Sequence, residues 1–104
     1  MKSSSIAIFK HTGSFAENKD VAKTLREDIL IPTLQTGRQV TLDFENVSGT
    51  TQSFIHALIS GPLRRFKMDA FDNMLFKNCN AEVRAVVRIV YAYMQESMGI
   101  SDDE

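Results

Sequence analysis

Cysteine is almost absent from this chain, which has a single one, Cys79, among its 104 residues. One thiol cannot form a disulfide within the chain, so the fold must depend on a buried core. Tryptophan is missing altogether, and no apolar run is long enough to cross a membrane. The start of the chain also lacks the hydrophobic region of a signal peptide. Together these absences predict a cytoplasmic protein without membrane contact.

Neither sign of charge dominates, since 12 basic and 13 acidic residues give a formal net charge of −1. General nucleic-acid binders carry a strong positive field, so no nucleic-acid partner is expected. The local basic cluster Arg64, Arg65 and Lys67 is too small to alter this. The sequence has no glycine-rich phosphate loop and no group of acidic, histidine or cysteine residues at metal-ligand spacing. We therefore expect neither a cofactor nor a metal site.

The length and the 43% hydrophobic content predict one domain over residues 1–104, with an ordered core at about 5–98 and an acidic tail at 99–104. Apolar segments predict strands at 5–9, 39–44 and 73–76, and residues 10–18 leave room for a fourth short strand. Helical spacing predicts helices from 18 to 37, from 53 to 66 and from 81 to 98. The β-α-β-α-β-α order indicates a small α/β domain with a mostly parallel sheet flanked by helices.

Prolines and capping residues refine the helix boundaries. Pro32 should kink or interrupt the first helix, and Gly37 should end it. Pro62 should end or bend the second helix. Asn80 is a suitable N-cap for the third helix.

The most informative segment, residues 40–55, predicts a strand, a hydroxyl-rich turn and the first turn of a helix. Thr50, Thr51 and Ser53 lie where unpaired N–H groups and the positive end of a helix dipole favour an anion. They are the candidate phosphoacceptors or anion contacts, and the alternative is ordinary capping, for which Thr51 is best placed.

Four neighbouring residues complete the candidate site. Asp43 and Gly49 are predicted to orient the turn, although Asp43 could instead fasten its own loop. Gln52 and His56 share a helix face and are predicted to face a partner. A pairing of Ser53 with His56 would suggest an enzyme, but no oxyanion device is evident. A reactive Cys79 near a helix N-terminus would suggest one too, but it lacks a neighbouring histidine or a CxxC partner. We expect no catalytic residue.

Several segments in order resemble the STAS-like domains, named for their similarity to sulfate-transporter and anti-sigma-factor-antagonist domains. They are residues 28–34, 40–47, 51–55, 76–80 and 83–94. This resemblance extends over most of residues 20–95 and implies a protein-interaction and regulatory module. In the related anti-sigma-factor antagonists, an Asp-Ser-Ser-Gly signature at this turn is phosphorylated by a kinase that is also the anti-sigma factor. In register, Ser53 matches the second serine, whereas Thr51, Gln52 and Phe54 replace the other three residues.

The first hypothesis is accordingly a non-enzymatic module that binds a partner protein through residues 49–53 and the following helix, gated by phosphorylation of Ser53 or Thr51. The resemblance implies a histidine-kinase-like ATPase or a serine kinase as that partner. The alternative is a small-anion or nucleotide-binding domain that uses the helix N-terminus at Thr51 and Ser53. Ile89 and Tyr93, beside the apolar stripe of the last helix, also suggest a homodimer.

Overall fold

A computed structural model describes residues 4–97 of the chain. Its strands are β1 (Ser4–Ala7), β2 (Phe15–Ala16), β3 (Val40–Asp43), β4 (Gly49–Thr50) and β5 (Met74–Lys77). Its helices are α1 (Phe9–Thr12), α2 (Lys19–Leu25), a π-helical segment (Arg26–Leu30), α3 (Ile31–Gln35), α4 (Gln52–Phe66), α5 (Met68–Asn73) and α6 (Ala81–Ser97). The predicted alternation of strands and helices is confirmed, with short additional elements between them.

The main sheet has three parallel strands in the order β1-β3-β5. Its register aligns Ile6 with Leu42 and Leu42 with Phe76. The connection from β1 to β3 and the connection from β3 to β5 both move one strand along the sheet in the same direction. Because such crossovers are right-handed, both sets of connecting helices are expected on the same face.

The burial of alternate residues agrees with this one-sided covering. Val40 and Leu42 of the central strand are fully buried, whereas Thr41 and Asp43 between them are only partly buried. On the edge strands, Ser5 and Leu75 are exposed. The sheet therefore has one face against the core and one accessible face, because neighbouring residues on a strand point to opposite sides.

A second, two-stranded sheet pairs β2 with β4 in parallel, with Phe15 beside Gly49 and Ala16 beside Thr50. The fourth short strand expected within residues 10–18 is thus present. Its partner β4 was not predicted, because two residues are too few to show an alternating pattern. This pair places the hydroxyl-rich turn directly after a strand.

The first long helix is interrupted, as Pro32 predicted. The π-helical segment ends at Leu30, and Pro32 lies in the first turn of α3. A wider π turn accommodates a proline, which lacks an N–H group and crowds the carbonyl of the preceding turn. Gly37 has a φ of 78° and donates its N–H to Leu34 O at 2.9 Å, so the helix ends there as expected.

Two local predictions need correction, and a third lies outside the described residues. The first strand ends at Ala7 rather than at residue 9, because α1 begins at Phe9. Of the two outcomes predicted for Pro62, an end of the helix is wrong, because α4 continues to Phe66, whereas a bend stays a prediction. Pro62 and Leu63 are both buried, and that packing outweighs the one missing hydrogen bond. The predicted end of the last helix at residue 98, and the acidic tail at 99–104, lie outside the described residues.

The core is packed around α4, which contacts α2 and the π-helical segment on one side and α6 on another. The largest fully buried side chains of the core are Phe44, Phe54, Ile8, Leu30, Leu42, Ile55, Leu58, Ile59, Leu63, Met94, Val40 and Val83. Within residues 4–97, no helix has both the length and the apolar character needed to span a membrane.

Candidate functional site

The hydroxyl-rich turn joins β4 to α4, and Thr51 is its N-cap. The Phe54 N–H group donates to Thr51 Oγ1 at 3.0 Å, which satisfies one of the free amides at the start of the helix. The backbone N–H of Thr51 in turn donates to Ala16 O at 3.1 Å. The structure thus gives Thr51 the capping role, which uses its hydroxyl as an acceptor.

Thr50 serves the packing of the turn. Thr50 is only 8% exposed, and its Oγ1 donates to Ala16 O at 2.7 Å. This hydrogen bond fastens β4 to β2 and directs the hydroxyl into the protein. A kinase could not reach Thr50 without opening that pair of strands.

Ser53 differs from both threonines because it is exposed in the first turn of α4. Its neighbour Gln52 is exposed too, and the positive end of the α4 dipole lies beneath them. Of the three candidate hydroxyl residues, Ser53 is therefore the most exposed.

A cleft of about 440 Å³ opens beside Ser53, between the start of α4 and the middle of α6. Gln52, Ser53 and His56 form its α4 wall, Ile89 and Tyr93 line the α6 side, and Lys19 of α2 also borders it. The His56 and Tyr93 rings are 6.1 Å apart between centroids, in a tilted arrangement. The cleft, named here the α4–α6 cleft, combines an apolar wall, one cation and several hydrogen-bonding groups.

The turn is oriented by neighbours other than Asp43. The Ser48 N–H and Oγ groups both donate to Ser14 O, at 2.7 and 2.9 Å, and Asn80 Nδ2 donates to Ser48 O at 3.0 Å. Gly49 lies under the Phe15 ring, and a Cβ at this glycine would come within 2.8 Å of Phe15 Cε1. The ring therefore leaves no room for a side chain at Gly49, and the turn-orienting role of this glycine stays a prediction.

Asp43 instead fastens the loops at the carboxyl end of the main sheet. Its Oδ1 accepts the Glu45 N–H at 3.0 Å and Asn78 Nδ2 at 2.9 Å. These two hydrogen bonds, with Lys77 nearby, lower the pKa of Asp43. The predicted role in orienting residues 49–53 is therefore corrected, because both side-chain contacts of this carboxylate go to other loops.

Cys79 is a half-buried thiol. It packs against the core, and burial raises the pKa of its thiol, so the nucleophilic thiolate is disfavoured. Ser53 and His56 border the same cleft, in which His56 faces the Tyr93 ring. In residues 4–97, no group of three or more acidic, histidine or cysteine residues is placed to hold a metal.

The resemblance found in the sequence agrees with the comparison to protein families. A family model described as a STAS-like domain of unknown function (DUF4325) matches residues 21–84. The chain belongs to this STAS-like family. No curated protein and no solved structure gives a match.

The matched stretch of this STAS-like domain runs from α2 into α6 and contains the whole hydroxyl-rich turn. Lys19 lies before the match, and Ile89 and Tyr93 lie after it. One wall of the α4–α6 cleft is thus inside the matched stretch and the opposite wall outside it. The Ser53 wall can be recognised in the sequence from its turn chemistry, but no periodicity joins Lys19 to α6.

Proposed function

We propose that this STAS-like domain is a non-enzymatic regulatory module that binds a partner protein through the Gly49–Ser53 turn and the exposed face of α4. The observation that carries the proposal is the exposure of Ser53 and Gln52 beside an open cleft with an apolar wall. Protein interfaces combine such apolar contact with a rim of hydrogen-bonding groups. His56, half-buried on the same helix face, extends this surface by one turn.

Phosphorylation of Ser53 is the proposed control. Thr50 is buried and Thr51 caps the helix, so Ser53 is the hydroxyl that a kinase can reach. A phosphate brings a charge of about −1.5 to −2. The dipole of α4 stabilises that charge in the free protein by ~0.3–1 kcal/mol, while desolvation of the charge opposes partner binding. The modified form is thus the one that releases its partner.

The resemblance to anti-sigma-factor antagonists favours a histidine-kinase-like ATPase or a serine kinase as the partner. The test is a pull-down from the native cell with the unaltered chain, Ser53→Asp and Ser53→Ala as baits. Mass spectrometry identifies captured proteins and any phosphate on the peptide that contains Ser53. Ser5→Asp, at an exposed serine of β1, is the matched control for added charge.

We expect a kinase or ATPase that is captured by the unaltered chain, by Ser53→Ala and by Ser5→Asp, but lost with Ser53→Asp. Equal capture by all four baits would contradict control at Ser53. Capture of no such enzyme by the unaltered chain would contradict the proposed partner.

A second candidate function is the binding of a small anion or nucleotide in the α4–α6 cleft. Its support is the position of Lys19 at a cleft that also receives the N-terminus of α4. A ligand that binds only the folded state raises the melting temperature. Phosphate, ATP and GTP should then stabilise the unaltered chain but not Lys19→Glu. No shift with any of the three would leave the protein-binding function as the one supported.

A further inference from the structure

The outer side of α6 is more apolar than a solvated helix surface requires. Ile89 and Tyr93, one turn apart, are 51% and 57% exposed. Ala85 and Ala92 are exposed beside them. The opposite side of the helix already supplies the core contacts through Val83, Val87, Val90 and Met94. The outer apolar residues are therefore not needed by the fold of one chain, whose solvated helix surface is normally charged or polar.

The charges that flank this apolar surface are divided between the two halves of the helix. Arg84 and Arg88 lie in the first half, and Glu96 lies in the last turn; all three are exposed. Arg84 Nη2 donates to Cys79 O at 3.2 Å, which uses one of its five N–H donors. Glu82 is directed elsewhere, since its Oε1 lies 3.9 Å from the Cβ position of Gly49.

We propose that α6 pairs with α6 of a second copy of this chain in antiparallel orientation, forming a two-fold symmetric dimer. Positions 84 and 96 are equidistant from Val90, so an antiparallel pair centred there sets the arginine-bearing half of each helix against Glu96 of the other. Because of the two-fold symmetry, this attraction occurs two times in the dimer. A parallel pair would instead bring arginine against arginine, and opposed helix dipoles also favour the antiparallel form.

The side chains at the contact suit a helix pair. Ala85 and Ala92 leave room for close approach of the two backbones, while Ile89 and Tyr93 supply the apolar area that is removed from water. A helix of 17 residues is only about 25 Å long, so the contact is small for a permanent dimer. The association should therefore be reversible and depend on concentration. This proposal does not rest on the partner proposed above, but Ile89 and Tyr93 also line the α4–α6 cleft, so a second copy and that partner would compete for this surface.

Sedimentation equilibrium of the purified full chain over a range of concentrations tests the pairing. The mass of the unaltered chain should rise from one copy toward two. In Glu96→Arg, the three positions that flank the apolar surface of α6 (84, 88 and 96) are all basic. In the double variant Arg84→Glu with Arg88→Glu, these three positions are all acidic. Each should remain monomeric alone, and an equimolar mixture of the two should form dimers.

The matched control mixes Glu17→Arg with Arg64→Glu, which alter exposed charges on residues outside α6. Each control variant should dimerise alone as the unaltered chain does, and circular dichroism checks that every variant is folded. A monomeric unaltered chain at all concentrations would overturn the proposal. So would dimers of each α6 variant alone, or a mixture of the two that stays monomeric.

Discussion

The side chain of Arg26 lies across α4 at Gly61. A Cβ at Gly61 would stand 3.1 Å from Arg26 Cδ, and Arg26 Nη1 donates to Ala57 O at 3.0 Å. Pro62, the next residue, has no N–H to offer the preceding turn. The π-helical segment is thus bound to α4 at the place where the backbone hydrogen bonding of α4 is interrupted.

This relationship predicts coupling between positions 26 and 61. Arg26→Ala should lower the free energy of unfolding by about 1 kcal/mol, the usual net value of the one hydrogen bond to Ala57. The ion pair of Arg26 Nε with Glu27 Oε2, at 2.9 Å, is lost too, but such an exposed pair adds little. Gly61→Ala improves helix propensity by about 1 kcal/mol, but the Arg26 side chain crowds the new methyl group. Urea unfolding of both single variants and of the double variant measures the coupling.

We expect Gly61→Ala to stabilise the Arg26→Ala background by about 1 kcal/mol and the unaltered chain by clearly less. Equal increments in the two backgrounds would show that the arginine does not restrict position 61. An equal slope of unfolding free energy against urea concentration in all variants would confirm that their unfolded states are comparable.

Lys67, between α4 and α5, has a backbone conformation that favours glycine. Its φ of 53° and ψ of −124° are sparsely populated by residues with a side chain. Lys67→Gly should therefore raise the free energy of unfolding by about 0.5–1 kcal/mol, after the larger backbone entropy of glycine is subtracted. Thermal unfolding measures the change.

Lys67→Ala is the matched control, since alanine also removes the charged group but keeps a Cβ. It should give little or no stabilisation. An equal gain from alanine and glycine would assign the effect to the lysine side chain and not to the backbone.

Thr51 should be replaceable by other N-cap residues but not by an isostere without a hydroxyl. Thr51→Val removes the acceptor of the Phe54 N–H and should cost about 1 kcal/mol of folding free energy. Thr51→Ser and Thr51→Asp retain an acceptor oxygen and should stay within a few tenths of a kcal/mol of the unaltered chain. Urea unfolding of the three variants provides the measurement. An unchanged free energy of unfolding in Thr51→Val would contradict the capping role.

The elements that could be predicted from the sequence are those in which one physical requirement dominates. A strand with one buried face needs apolar residues at alternate positions, and β3 has them in Val40 and Leu42. Thr51 and Asn80 were recognisable as N-caps because few side chains satisfy free helix amides; Asn80 Oδ1 does accept the Val83 N–H, at 2.8 Å.

Other features depend on tertiary contacts that no local pattern records. Pro62 lies inside α4 because packing outweighs its local preference. The role of Asp43 depends on Asn78, which is 35 residues away and adjoins the neighbouring strand. The α4–α6 cleft is lined by residues of α2, α4 and α6. Ser53 could be predicted as a site residue from the sequence of its turn, but no local pattern identifies Lys19 as part of the same site.

Asp43 should make the stability of the protein depend on acid pH. Hydrogen bonds from Asn78 and from the Glu45 amide, with Lys77 nearby, hold the pKa of this carboxyl below its ordinary 3.8 in the folded state. A lowered folded pKa means that the folded chain favours the carboxylate. Its stabilisation is therefore fully present above the ordinary pKa of the unfolded chain and is lost as the pH falls through the folded pKa.

Asp43→Asn removes this titration while its amide oxygen can still accept the Glu45 N–H. The difference in unfolding free energy between the unaltered chain and Asp43→Asn should thus be largest near neutral pH and should shrink as the pH falls below the ordinary pKa. Urea unfolding across that range measures it, with Asp72→Asn on the exposed side of α5 as the control. A difference that stays constant with pH would mean that the charge of Asp43 does not hold the two loops together.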